Sequence, residues 1–265
     1  MVRKEPLHRE QLAILVLLVL LTAAAWALTL TQMGSMVEQP SMGGMPGAAV
    51  GAPDPGVRLL VYLAMWTTMM AAMMLPAAAP MILMFGTIYR GKREREGAFV
   101  PTWVFVAGYL AVWAGFGVCA WAAGDFGEGL ARAYPVLGEL GPRIAGLAMV
   151  AAGLYQLTPL KERCLSHCRS PLDFVLHHWR AGMSGAWRMG VDHGVYCVGC
   201  CWALFVLLVA VGLASLPWMG LITLIVCAEK LLPRGRLITV AVAAVLLSLG
   251  LLTLARPDLL APTMG

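Results

Sequence analysis

Charge is scarce in this chain of 265 residues. Asp, Glu, Lys and Arg make up only 12% of it, about half their share of an ordinary soluble domain. Sixty per cent of the residues are apolar, and mean hydropathy is +0.79. Such a composition excludes a soluble globular enzyme and leaves no room for a sizeable soluble domain beside the apolar runs. Several motifs are also missing: a Walker loop, a dinucleotide glycine fingerprint, a C-x-x-C-H haem attachment and a Ser, His, Asp set. These absences remove nucleotide hydrolysis, nicotinamide or flavin chemistry, c-type haem and triad hydrolysis from consideration. No pairwise repeat is evident. A net charge of +5 would suggest nucleic acid in a soluble protein, but here it reads as loop charge that orients membrane spans, so no nucleic-acid partner is expected.

What is present is a series of apolar runs, at about 12–31, 59–88, 99–122, 142–160, 194–214, 217–233 and 237–255. A hydrocarbon core about 30 Å thick needs roughly 20 apolar residues per helix. The fold expected is therefore all-α, a polytopic membrane helix bundle of about seven transmembrane helices forming one integral membrane domain over 1–265. A basic start, an apolar core and AWA at Ala25 to Ala27 also fit a cleavable signal sequence, which would leave six spans. The core is longer than the usual secretory one, which favours an uncleaved anchor. The second run exceeds one straight span, and Pro76 and Pro80 in LPAAAP predict a kinked or broken helix there. Gly108, Gly115 and Gly117 in GYLAVWAGFG predict close helix packing. Of the 19 Lys and Arg, 15 fall in alternate segments facing one side, leaving only Arg58, Arg132, Arg143 and Arg256 on the other. That asymmetry puts the N-terminus in the cytoplasm and the C-terminus outside.

On this topology DHGVYCVGCCW begins the fifth span from the cytoplasmic side. Its thiols face a compartment that keeps cysteine reduced, where grouped cysteines bind metal or do redox chemistry more often than they staple a fold. As a helix, His193, Cys197 and then Cys200 or Cys201 recur on one face. A cytoplasmic Cys/His segment, 161–193, precedes them, with KERCLSHCRSP carrying Cys164 and Cys168 four apart and His167 between. It is expected to fold back onto the fifth span. Glu229 in the sixth span falls level with Cys201, where an ionisable group must be paired, liganding or snorkelling. It is the expected proton acceptor for a ligand or orienter of His193, while Lys230 beside it snorkels. His177 and His178 read as interfacial, and Cys119 and Cys227 as packing.

Methionine is the other oddity, with 17 residues. Met65, Met69 and Met73 form an i, i+4, i+8 stripe in the second span, continued by Met81 and Met84. A Met/Gly/Pro-rich external loop, 32–57, adds Met33, Met36, Met42 and Met45. Thioethers are soft neutral ligands suited to Cu(I) outside a reducing compartment, and thiolates suit it inside. Within a packed bundle, however, methionine also simply fills gaps.

Taken together, KERCLSHCRSP, GAWRMGVDHGVYCVGCCW, the following EK pair and the upstream MMAAMMLP resemble a bacterial family of uncharacterised, predicted metal-binding integral membrane proteins. The resemblance covers most of the chain. It implies a multi-span bundle with a metal site built from Cys164, Cys168, His193, Cys197, Cys200, Cys201 and Glu229; the Met-rich external loop is not part of that pattern. The reading that follows is a multi-pass protein of the bacterial inner (cytoplasmic) membrane. It would handle a soft metal, copper(I) first and zinc or another thiophilic metal otherwise, for transport, trafficking or delivery. Its partners would be the lipid bilayer, the ion and a metallochaperone or membrane metalloenzyme. The alternatives are a thiol-disulfide oxidoreductase using Cys197 and Cys200, against which stands the lack of an outward cysteine pair, and an assembly subunit whose cysteines only pack.

Overall fold

The structure is a computed structural model, which describes residues 9–37, 54–96, 101–210 and 216–256. Among these residues it is all-α, as expected. The long helices are α1 (Arg9–Val37), α2 (Pro55–Glu96), α3 (Thr102–Ala133), α8 (Gly182–Ala210) and α10 (Gly235–Ala255). Two shorter apolar helices are α5 (Gly141–Gln156) and α9 (Leu216–Leu231), and three further short pieces are α4 (Val136–Glu139), the polar α6 (Pro159–Arg169) and α7 (Pro171–His178).

Among the described residues, five helices are long and apolar enough to cross a membrane: Gln11–Gln32, Pro55–Arg90, Thr102–Ala133, Gly182–Leu208 and Gly235–Ala255. The other two expected spans, α5 and α9, are 16 residues each. That is about 24 Å of helix against a hydrocarbon core of about 30 Å. In α5 the shortening has a local cause. Pro159 takes the first position of a new helix and Thr158 caps it, its Oγ accepting from the Lys161 amide at 3.3 Å, so the apolar run divides into α5 and α6.

α2 runs unbroken for 42 residues through Pro76 and Pro80. The break predicted at the prolines is not there. α1 extends to Val37, so Met33 and Met36 lie in helix rather than loop, while Met42 and Met45 fall outside the described residues.

α8 is the hub, packed against α3, α5, α6 and α9. Its closest partner is α3, and glycine makes the approach. A Cβ at Gly108 would strike the Trp187 carbonyl, and one at Gly190 would strike the carbonyl of Phe105. The two backbones therefore touch reciprocally, as small residues permit where lipid supplies no hydrophobic drive between helices. Gly117 accommodates the Trp66 ring, whereas Gly115 faces open space, so two of the three glycines expected to mediate packing do so. α5 and α10 meet similarly through Gly146, Gly153 and Gly250. Trp66 Nε1 donates to the Trp113 carbonyl at 2.9 Å, and Gln11 Nε2 to Thr87 Oγ at 2.8 Å, fastening α2 to α3 and α1 to α2. Leu17, Leu20, Leu237, Leu249 and Leu251 are exposed on α1 and α10, forming the apolar exterior a bilayer would cover. Gly190→Val is expected to cost about 2–3 kcal/mol by overpacking the α3–α8 seam; thermal unfolding of detergent-solubilised protein measures it.

Candidate soft-metal site

α8 begins at Gly182, twelve residues before the expected start of the fifth span, because Ala186, Met189, Gly190 and His193 form a buried stripe of helical spacing. The Cys197 group consequently lies well inside the helix, about 22 Å along it, rather than at its mouth.

Cys197, Cys200 and Cys201 face the core and are buried. α6 folds back over them. Cys164 packs against Gly199, the position where a Cβ would meet its sulfur at 2.7 Å, and Cys168 is buried with its Sγ 4.0 Å from Cys200 Sγ. Cys200 Sγ lies 3.2 Å from Cys201 Sγ and donates to the Cys197 carbonyl at 3.2 Å. Cys197 in turn interacts with the thiols of Cys168, Cys200 and Cys201. Four sulfurs from two helices are thus buried together, within the same continuous core that Met70, Met73 and Met74 of α2 help to fill. All seven cysteines are free thiols. On α6, outside the spanning helices, burial pushes the Cys164 thiol above its ordinary value, and Cys168 is raised first by its hydrogen bond with Cys197.

The group that closes the cluster is one the sequence reading sent to the surface. Lys230 does not snorkel. It is 5% exposed, and its Nζ donates to Cys197 Sγ at 3.0 Å, while the Tyr109 hydroxyl shares a hydrogen bond with the same sulfur at 3.1 Å. Glu229 turns the other way. Its Oε2 accepts from Lys161 Nζ at 2.7 Å, both side chains are 1% exposed, and Lys161 also donates to Gln156 Oε1. The carboxylate therefore clamps α6 to α9. The sequence reading missed Lys161 and Gln156 as well as Lys230 and Tyr109. One available signal was that a Glu-Lys pair inside an apolar helix needs two burial partners, not one.

His193 sits at 1% exposure between Tyr109, at 5.6 Å, and Phe105, at 6.0 Å between ring centroids, with neither ring nitrogen hydrogen-bonded among the described residues. A buried imidazole with two idle nitrogens is uncommon. One turn on stands Cys197. His167 is otherwise engaged, its Nδ1 on the Arg163 carbonyl at 2.8 Å and its ring stacked on Tyr196 at 4.2 Å. His177 is exposed beside Asp173, and His178 stacks on Phe174. Met73 is fully buried and Met65 and Met69 half-buried, all within packed α2.

Among the described residues, no three His, Cys, Asp or Glu side chains stand in the arrangement of a finished metal site. The thiols are gathered around an ammonium instead. Their donor chemistry nonetheless suits a soft monovalent cation, since sulfur selects such ions and a single positive charge is already accommodated there.

Fold and site together define a class: an all-α protein of long apolar helices that buries sulfur donors at its centre. Within that class the chain belongs to the PpoB2 family, described as copper chaperones, which matches residues 63–253. That range takes in both cysteine segments and most of α2. No curated protein matches the chain, and no solved structure does.

Proposed function

We propose that the chain is a membrane-embedded copper(I) chaperone that holds its cargo on Cys168, Cys197, Cys200 and Cys201, with His193 beside them, and passes it to a metallochaperone or membrane metalloenzyme. The observation that carries this reading is the convergence of four sulfurs from α6 and α8 on one buried point closed by Lys230. Loading exchanges one monovalent cation for another: copper(I) takes the position beside Cys197 and the Lys230 ammonium withdraws. α5 and α9 complete a seven-span bundle in a bacterial inner membrane, with the N-terminus and α6 on the cytoplasmic side, and Pro76 and Pro80 bend α2. Met65, Met69 and Met73 relay the ion from the external loop toward the thiols. Cys164 covers the entrance, and Glu229 acts through Lys161, holding α6 so that Cys168 stays over Cys200.

Of the fifteen cationic residues used to orient the spans, Lys161 and Lys230 are buried rather than in loops. The asymmetry survives their removal, at thirteen against four.

Elemental analysis of protein purified without added metal tests the reading. Stoichiometric copper is expected in the native chain, and none in Cys197→Ser/Cys200→Ser/Cys201→Ser. Copper retained by the triple variant would overturn it. So would metal-free native protein that reversibly forms a disulfide between Cys168 and Cys200, the pair whose 4.0 Å approach suits a thiol-disulfide oxidoreductase.

A further inference from the structure

A cavity of about 440 Å³ opens where the end of α5 meets the first turns of α6 and α10, away from the sulfur cluster. Gln156, Arg163 and Arg236 line it, together with Glu162 and the apolar Leu157 and Val240. Three features give it a charge preference. First, neither guanidinium is ion-paired among the described residues, and a single exposed carboxylate, Glu162, stands against the two. Second, α6 begins at the cavity wall, so the positive end of its dipole lies there, although Pro159 has no amide hydrogen and the Lys161 amide is taken by Thr158 Oγ. Third, Gln156 is 4% exposed with an amide whose orientation is set by chemistry: Oε1 accepts from the Lys161 ammonium, so Nε2 is the donor left over. That Nε2 is buried without a hydrogen-bond partner. A buried idle donor with two free guanidinia around it asks for an acceptor that carries negative charge.

The rim says where that acceptor comes from. Leu157, Leu160, Leu237 and Val240 are all exposed beside the cavity, at one end of two apolar helices. An acyl chain can lie along them while a headgroup enters between the arginines. Basic pockets between helices at a membrane surface are suited to anionic phospholipid headgroups.

We infer that this cavity is a binding site for the phosphate headgroup of an anionic phospholipid, held by Arg163, Arg236 and the Gln156 amide. The site is separate from the sulfur cluster but joined to it through one buried chain: Gln156 to Lys161, Lys161 to Glu229, and the adjacent Lys230 to Cys197.

The test uses the full chain, delipidated in neutral detergent and titrated with short-chain phosphatidylglycerol, short-chain phosphatidylcholine or inorganic phosphate, with lipid occupancy read by native mass spectrometry. Phosphatidylglycerol is expected to bind saturably, and about tenfold or more weaker in Arg163→Gln/Arg236→Gln, the loss of one to two charge-assisted hydrogen bonds. Both arginines are exposed, so the fold should tolerate the change. Arg188→Gln, an exposed arginine outside the cavity, should leave binding within about twofold, which separates this site from general surface charge. Equal binding of phosphatidylcholine would overturn the inference, as would unchanged affinity in the double variant. Inorganic phosphate that binds as tightly as the lipid would also overturn it, by showing that the site takes the free ion. Copper content is measured on the same samples, so failure of the metal reading and failure of this one are distinguishable.

Discussion

Glu229→Ala is expected to destabilise the protein by about 3–5 kcal/mol, the cost of leaving the Lys161 ammonium buried without its counter-charge. Lys161 and Glu229 are each 1% exposed and 2.7 Å apart, and the remaining Gln156 carbonyl is neutral. Removing the lysine instead should cost a similar amount, because the stranded carboxylate already has one oxygen, Oε1, without a hydrogen bond. Replacing both, as Lys161→Met/Glu229→Leu, should recover most of the loss, since apolar side chains of similar volume need no compensation. Thermal unfolding of the four proteins in detergent measures the cycle. The same proteins decide what Glu229 does. If the carboxylate acts by clamping α6 to α9, the double variant regains copper along with stability. Copper that stays lost in a stable double variant would instead make Glu229 a direct ligand or proton acceptor. A Glu229→Ala protein that loses less than about 1 kcal/mol would refute the buried pair itself.

Cys197→Ser should lower copper affinity by on the order of a hundredfold or more, above the 10- to 100-fold that loss of a supporting group commonly costs at a metal site. Cys197 is the sulfur through which the cluster is organised, since Lys230, Tyr109 and three other thiols all engage it. A hydroxyl in its place is a harder and weaker donor for a soft ion. Competition against a colourimetric copper(I) chelator gives the ratio. Cys119→Ser and Cys227→Ser supply the comparison, because Cys119 is exposed and Cys227 only half-buried. Both should stay within about twofold of the native chain. Comparable losses across all three variants would mean that thiol number, not this cluster, governs binding.

Much of the architecture was legible from hydropathy because it depends on a local quantity. Each of the seven apolar runs has a helix at its centre among the described residues, although the fourth divides at Pro159, and the four-residue spacing of Cys164 and Cys168 turned both toward α8. Helix ends were less legible. α8 starts twelve residues early because GMSGAWRMGVDH, too polar and glycine-rich to score as a span by itself, presents a small-residue face that α3 covers. The proline break in α2 failed for a related reason: neighbouring helices support the chain around Pro76 and Pro80, where Leu75, Ala77, Ala78 and Met81 are buried. Methionine spacing was legible too, but spacing does not separate a relay from a core, and Met70, Met73 and Met74 are packed on every side.

Composition and periodicity alone determined that this chain is helical and suited to a bilayer, and that its thiols fall into two segments. Both are properties of residues counted along one strand of sequence. The destination of each buried charge was decided only by tertiary structure. Glu229 and Lys230 are neighbours on one helix, 100° apart around its axis, and either could have faced the sulfurs. Packing of α6 against α8 and α9 brought Lys161 to Glu229 and left Lys230 for Cys197, because a charge withdrawn from water takes whichever opposite or polar partner the assembled helices bring within reach.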